Sequence, residues 1–190
     1  MQGSERFFSM YPYFRAAYLM LRGRSMPKIG VYDTHVSHHR AWPWDTDAFG
    51  ELNHGRILTL FELGRWQATV RMGFMGVIAR ERLMLPVAGV SVRYRKRVPI
   101  FRKYRMQTRF LGFDDRFVYA EQSMWQGDTC NHHLLLRAAV KSRQGTINPK
   151  DFAEMIGVDQ MSPELPDWAN AWIEADKTRP WPPESGPIHN

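Results

Sequence analysis

Read from His35 onward, the chain changes its hydrophobic period in an order that predicts one strand, one long helix and four further strands. The first strand spans about Thr34 to Trp44, with Pro43 marking an edge or a bend. Asn53 is a good N-cap and Gly73 a good stop for a helix over Gly55 to Met72. Ile57, Phe61, Gly64, Ala68 and Met72 form one apolar line along it, and Leu58, Trp66 and Val70 carry apolar surface to its other faces. A helix so apolar is expected to be covered on most sides. In the next run Val90, Val92 and Tyr94 alternate with Arg93, Arg95 and Arg97, which predicts a core face and a basic face before Pro99. Tyr104 to Phe113, Phe117 to Trp125 and His132 to Lys141 follow, separated by Asp114-Asp115 and by Gln126 to Thr129. Such turns predict that these four strands form an antiparallel meander. Asn148-Pro149 opens a helix that Gly157 stops, a second short helix runs from Pro166 to about Ala175, and the Pro-rich stretch beyond Lys177 has little to pack against.

The chain's 190 residues suffice for one core without a disulfide or a structural metal. The single cysteine, Cys130, fits a reducing compartment, and the expected location is cytoplasmic. The most apolar stretch, Phe7 to Leu21, is divided by Arg15, so neither a membrane span nor a secretory signal is expected. The expected organisation is an N-terminal aromatic and basic extension (1–33, partly helical), a main domain (34–148), C-terminal helices (149–176) and a flexible tail (177–190). Net charge is +7, but the segment from Lys150 onward holds eight acids against three bases, which leaves +12 on the rest. Arg82 to Phe113 contains nine Lys or Arg and no acid. That block needs an anionic partner or a solvated face.

The segment from Trp44 to Ile57, with Asp45-Thr46-Asp47, Gly50, Asn53-His54-Gly55 and then Phe61-Glu62-Leu63-Gly64-Arg65, is the most informative. A strand ending in Asp-x-Asp-x-x-Gly-x-x-Asn and running into a helix with Phe-Glu-x-x-Arg resembles the 4-hydroxybenzoyl-CoA thioesterase-like group of hotdog-fold proteins. The resemblance covers about His35 to Ile147 and is closest to a little-characterised thioesterase-like branch that also carries Arg-x-Leu-Gly-(Phe/Trp)-Asp-Asp-Arg, here Arg109 to Arg116. It implies an α+β hotdog fold, an antiparallel sheet wrapped around the long central helix, and hydrolysis of an acyl-CoA or acyl-carrier thioester at a subunit boundary.

The chemistry of these residues agrees with that implication. Asp47 lies just ahead of a helix N-terminus, where unpaired N–H groups attract negative charge, and the N–H groups of about His54 and Gly55 can face a developing oxyanion. Asp47 is then either a nucleophile or a general base on water. The plainer reading makes Asp47 a loop aspartate that caps the helix or bonds its own turn, Asp45 structural or solvent-facing, Asn53 an N-cap and His54 solvated. Another hotdog lineage takes its acid from the central helix, which singles out Glu62; paired with Arg65 or with a group across a dimer interface, Glu62 is instead structural.

The basic residues, Arg93, Arg95 and Arg97 foremost, serve either as a solvated face or as a coenzyme A phosphate site, and no motif accompanies them that would make nucleic acid a partner. His35, Ser37 and His39 share one strand face without a carboxylate or cysteine at ligand spacing, so they are expected to be solvated or interfacial rather than metal-binding. Cys130 to His133 is expected in a hairpin turn, and no cofactor is expected. Two sheet edges predict a homodimer or a tetramer. The aromatic and basic residues within 7–24 suit a membrane surface, or packing against the domain or a partner subunit. A second functional class, a non-catalytic acyl-CoA or lipid binder, keeps the same fold and pocket.

Overall fold

A computed structural model describes residues 12–158 and 161–186. Phe7, Phe8 and Tyr11 of the N-terminal extension and the last residues of the tail lie outside the described residues. The helices are α1 (Tyr13–Ser25), α2 (His54–Arg71), α3 (Phe74–Arg80), α4 (Pro149–Met155) and α5 (Asp167–Lys177). The strands are β1 (His35–Arg40), β2 (Val87–Tyr94), β3 (Lys103–Phe113), β4 (Val118–Gln126), β5 (Thr129–Ala138), β6 (Val140–Ser142) and β7 (Gly145–Ile147). Five strands form an antiparallel sheet in the order β1-β3-β4-β5-β2. This is an α+β hotdog fold, with α2 lying along the inner face of the sheet. Inward residues alternate along the central strands, Met106 and Thr108 on β3, Ala120 and Gln122 on β4, Leu134 and Leu136 on β5, and they pack on Ile57, Leu60 and Phe61 of α2. The outer face is covered in part by α5, through Leu111, Tyr119, Leu135, Ala169 and Ile173.

Two glycines set the approach of these layers. A Cβ on Gly64 would run into the Met106 side chain, so its absence lets the middle of α2 sit directly on β3. Gly112 adopts φ +150° at a bulge in the β3–β4 register, against Ser162 and Leu165. Next to it the Phe113 N–H donates to Ser162 Oγ at 2.7 Å, while Asp114 caps the Arg116 and Phe117 N–H groups. The Leu-Gly-Phe-Asp-Asp segment thus clamps the C-terminal part of the chain to the sheet.

Three expectations about the sheet are corrected. First, β2 does not join the meander. It crosses over and pairs with β5, because the link from Arg95 to Arg102 is a loop, tied by the Arg95 and Lys96 N–H groups to Asn131 O, and not a tight turn. Second, β2 ends at Tyr94, so only Arg93 belongs to the strand, and Arg95 and Arg97 lie in the exposed loop after it. Third, Val90 and Tyr94 face inward but stay 39% and 45% exposed, because an edge strand lacks the second neighbour that would bury them. The first strand is also shorter than expected. It stops at Arg40, and Pro43–Asp45 forms a 3-10 turn. The fifth ends at Ala138, and its expected end makes the small β6–β7 hairpin. A further helix, α3, follows Gly73 where the hydrophobic pattern predicts none. Gly73 takes φ +86° and ends α2, and Phe74 then anchors α3 in the core.

Candidate active site

The Asp-x-Asp segment closes into a short loop. Thr46 and Leu52 bridge across it, the Asp47 N–H donates to Glu51 O at 2.9 Å, and Gly50, at φ +72°, returns its N–H to Asp47 O at 3.1 Å. Contacts from Leu52 N–H to Val98 O and from Ile100 N–H to Gly50 O fasten this loop to the one that follows β2. The loop is therefore rigid on both sides and ends at Asn53, whose side chain accepts from the Gly55 and Arg56 N–H groups at 2.9 and 3.2 Å. Asn53 is the N-cap of α2. In this arrangement the Gly55 N–H serves the cap.

The two aspartates of the motif occupy opposite environments. Asp45 is fully buried, with Oδ2 on Arg15 Nη1 at 2.8 Å and Oδ1 on Arg56 Nε at 2.9 Å. A buried carboxylate survives only when paired, and here both oxygens are taken. Its structural role holds, but Asp45 is nowhere near solvent. Sequence reasoning misses Arg15 as its partner, although a lone cation inside an aromatic stretch is itself a signal that a carboxylate is needed. Asp47 is half-buried. Its Oδ1 accepts the Phe49 N–H at 2.9 Å, and no hydrogen bond involves Oδ2 among the described residues. One oxygen orients the carboxylate, and the other is available for chemistry.

An open strip leads away from this loop. His54, Leu58, Glu62, Trp66 and Thr69 recur at helical spacing on one face of α2, and Leu58 and Trp66 remain exposed, against the expectation of a helix covered on most sides. Beside the strip runs β2, antiparallel to α2 in the sense that Tyr94 lies at the His54 end: its hydroxyl donates to His54 O at 3.3 Å and its ring meets the His54 ring at 6.5 Å. At the other end Val87, Leu83, Leu85, Leu136 and Ala138 line an apolar cavity of about 370 Å³ into which Glu62 and Arg65 also open. Glu62 is the only carboxylate in that lining among the described residues. Arg65 reaches Gln122 Oε1 at 2.6 Å, and Gln122 in turn donates to Phe61 O and to Thr108 Oγ1, a polar latch between α2 and the sheet.

The histidines of β1 depart from expectation. His35, Ser37 and His39 are buried, not solvated: His35 lies against Gln67 and Arg71 of α2, and His39 against Ser37 and Tyr104. Arg71 donates to His35 Nδ1 at 2.8 Å and His35 Nε2 meets Gln67 Oε1 at 3.3 Å, which fits the neutral Nε2–H tautomer. His39 bonds Ser37 Oγ at 2.7 Å and stacks on Tyr104. Burial holds His35 down to about 4 and His39 to about 3. Each protonates near pH 6.5 in the unfolded chain, so the unfolded state binds the extra protons first and stability is lost as pH falls from about 6.5 towards 4. For His35 alone the loss is on the order of 3 kcal/mol at the acid end. A urea midpoint that falls between pH 7.5 and 5, with a smaller fall in His35→Gln, is the expected result.

Cys130 to His133 lie on β5, not in a turn. His132 is buried against Tyr94, and burial lowers it to about 4, whereas His133 pairs with Glu121 at 2.8 Å on the outer face. Arg93 shares that outer face, in a hollow with Glu121, His133 and Trp168. Arg93, Arg95 and Arg97 therefore do not form one row. No group of three or more His, Cys, Asp or Glu able to hold a metal ion occurs among the described residues.

Comparison with known proteins bears on this geometry. Residues 41–173 match the model of the thioesterase-like superfamily. The chain is 27% identical over 167 residues to Protein THEM6 of Drosophila melanogaster (86% of this chain, 84% of the relative) and 25% identical over 166 residues to Protein THEM6 of Xenopus laevis (85% and 78%). Among solved structures, a probable thioesterase from Bartonella henselae superposes with TM-score 0.56 at 21% identity, covering 61% of this chain and 98% of that one. A DHNA-CoA thioesterase from Staphylococcus aureus gives 0.57 at 16% identity, covering 82% and 97%. The match, which runs from the Asp-x-Asp loop through the central helix and strands β2 to β7, establishes that this chain belongs to the thioesterase-like superfamily.

Proposed function

We propose that the protein hydrolyses an acyl-CoA or acyl-carrier thioester, with Asp47 as the reacting carboxylate. The observation that carries this reading is the contrast within the motif: both oxygens of Asp45 are consumed by arginines, while Asp47 keeps one oxygen oriented by a backbone N–H and the other open. Asp47 either attacks the thioester carbonyl, giving an acyl anhydride that water then opens, or takes a proton from the attacking water. On the first route the sulfur leaves as a thiolate that takes its proton from solvent; on the second Asp47 passes the proton it took from water to the departing sulfur. His54, at the first turn of α2, flanks the carbonyl, and the helix dipole there favours the developing negative charge. Asn53 holds that turn in shape through the Gly55 and Arg56 N–H groups, which leaves the oxyanion the His54 N–H and the field of the helix end.

The acyl chain runs along the open strip. From His54 to Glu62 is about 12 Å along the helix axis, so the acyl group must extend past Leu58 before it enters the cavity. This favours long acyl chains over short ones. Val87 is 53% exposed at the rim of the cavity, where a larger side chain fills space without being forced into the core. Val87→Trp is expected to shift the preferred acyl length downward, read as kcat/KM across a series of acyl-CoAs. A second copy of the chain, seated on β2 and the exposed side of α2, closes the strip and buries Val90 and Tyr94. The nucleotide end of coenzyme A then meets the loop after Tyr94. Arg95→Gln and Arg97→Gln are each expected to raise KM for acyl-CoA by about 5- to 150-fold, with small synthetic thioesters unaffected. Arg93 contributes less, because it stands on the outer face.

One observation favours the second reading, a binder that does not turn over. The Asn53 cap engages the Gly55 N–H, and the Phe49 N–H holds Asp47 Oδ1, so both groups already have structural work. Binding of acyl-CoA without release of free thiol distinguishes that reading from hydrolysis.

A further inference from the structure

Helix α1 turns its small side toward α2. Ala16, Leu19 and Gly23 are buried there, and Gly23 lies against Gln67 and Val70. Its large aromatic residues are left on the opposite side, with Phe14 91% and Tyr18 58% exposed. They border a wide groove of about 1330 Å³ whose other wall comes from β1 and the 3-10 turn after it. On that wall Trp42 and Trp44 stack at 5.5 Å, and Trp44 is 65% exposed. Arg22, Arg40 and Lys103 stand in the same lining, with Arg40 over the Trp42 ring at 5.8 Å. Among the described residues no acidic side chain lines the groove, and Asp45 beneath it is neutralised by Arg15 and Arg56.

Exposed aromatic residues gathered from two separate elements mark an interaction surface. Their chemistry selects the partner. Trp, Tyr and Phe with their apolar bodies outward favour the depth of lipid headgroups, and Arg and Lys of a single sign favour anionic phosphate. A protein partner is normally held in register by charges of both signs, and the groove offers one. No helix among the described residues is long and apolar enough to cross a membrane, so the contact is one of a surface laid on a surface. We propose that the face formed by helix α1 together with Trp42 and Trp44 docks the protein on anionic phospholipid bilayers. This surface is separate from the strip along α2, and the inference stands whether or not the protein hydrolyses thioesters.

The test is flotation of the full chain with phosphatidylcholine vesicles and with vesicles that also contain phosphatidylserine. The wild type is expected to float with the second set, less as salt rises. Phe14→Ser with Trp44→Ser, both exposed and so compatible with folding by circular dichroism, is expected to lower partitioning by at least about tenfold. Arg22→Gln and Lys103→Gln are expected to lower it about fivefold each, and only on the anionic vesicles. A wild type that stays with the soluble fraction on phosphatidylserine vesicles overturns the proposal, as do variants that partition like wild type. Self-association that the double substitution of Phe14 and Trp44 abolishes, without vesicle binding, also overturns it and assigns the face to a second copy.

Discussion

Asp47→Asn is expected to lower kcat for acyl-CoA hydrolysis by about 10²- to 10⁴-fold without unfolding the protein. The substitution keeps what the turn needs, since the carboxamide oxygen still accepts the Phe49 N–H that Asp47 Oδ1 accepts. It removes what the chemistry needs, because an amide is neither a nucleophile nor a base at neutral pH. KM changes little if Asp47 acts only on the reacting carbon. Glu62→Gln is the control for the other carboxylate. Glu62 lies in the cavity wall two turns further along α2, so its loss is expected to act on acyl binding through KM. If Glu62→Gln abolishes turnover while Asp47→Asn does not, the reacting acid belongs to the helix and not to the loop.

The second large effect is on stability and comes from the neighbouring aspartate. Asp45→Asn leaves Arg15 and Arg56, which are 17% and 21% exposed, without the carboxylate that joins them. Breaking a buried pair from one side typically destabilises by about 3 to 5 kcal/mol, and the partial exposure of both arginines puts this case near about 3 kcal/mol. In a chain of this size that lowers Tm by about 6 to 12 °C. Arg15 is the only charged link between α1 and the Asp-x-Asp loop among the described residues, so α1 is expected to become susceptible to limited proteolysis first. Two substitutions two residues apart thus separate cleanly: one is read in turnover with the melting curve kept, the other in the melting curve.

The different legibility of these features has physical causes. Asn53 announces α2 because a cap is a local device, and the structure starts the helix at His54 as the cap requires. Gly73 is local in the same way. The inner faces of β3, β4 and β5 follow from alternation, since both neighbours of each strand are present in one chain. Alternation in β2 predicts which residues face inward but not whether anything covers them, and Val90, Tyr94 and Val87 are left open. Pairing of β2 with β5 depends on the Asn131 contacts, which join residues far apart in sequence. The environment of His35 depends likewise on Gln67 and Arg71 of α2, 32 and 36 positions away, and that of His39 on Tyr104 of β3. Among the candidate residues, the motif marks Asp45 and Asp47 as a pair. Arg15, 30 positions away from Asp45, and Arg56, 11 positions away, tell them apart.

On the proposed function, Asp47 makes this superfamily member a hydrolase and not a carrier of thioesters. Free-thiol release from a long-chain acyl-CoA, followed beside equilibrium binding of the same acyl-CoA for the wild type and Asp47→Asn, tests it most directly. Multiple turnovers are expected for the wild type, and for the variant undiminished binding with thiol release reduced at least about a hundredfold. Binding by the wild type without thiol release, or equal release by both proteins, would contradict it.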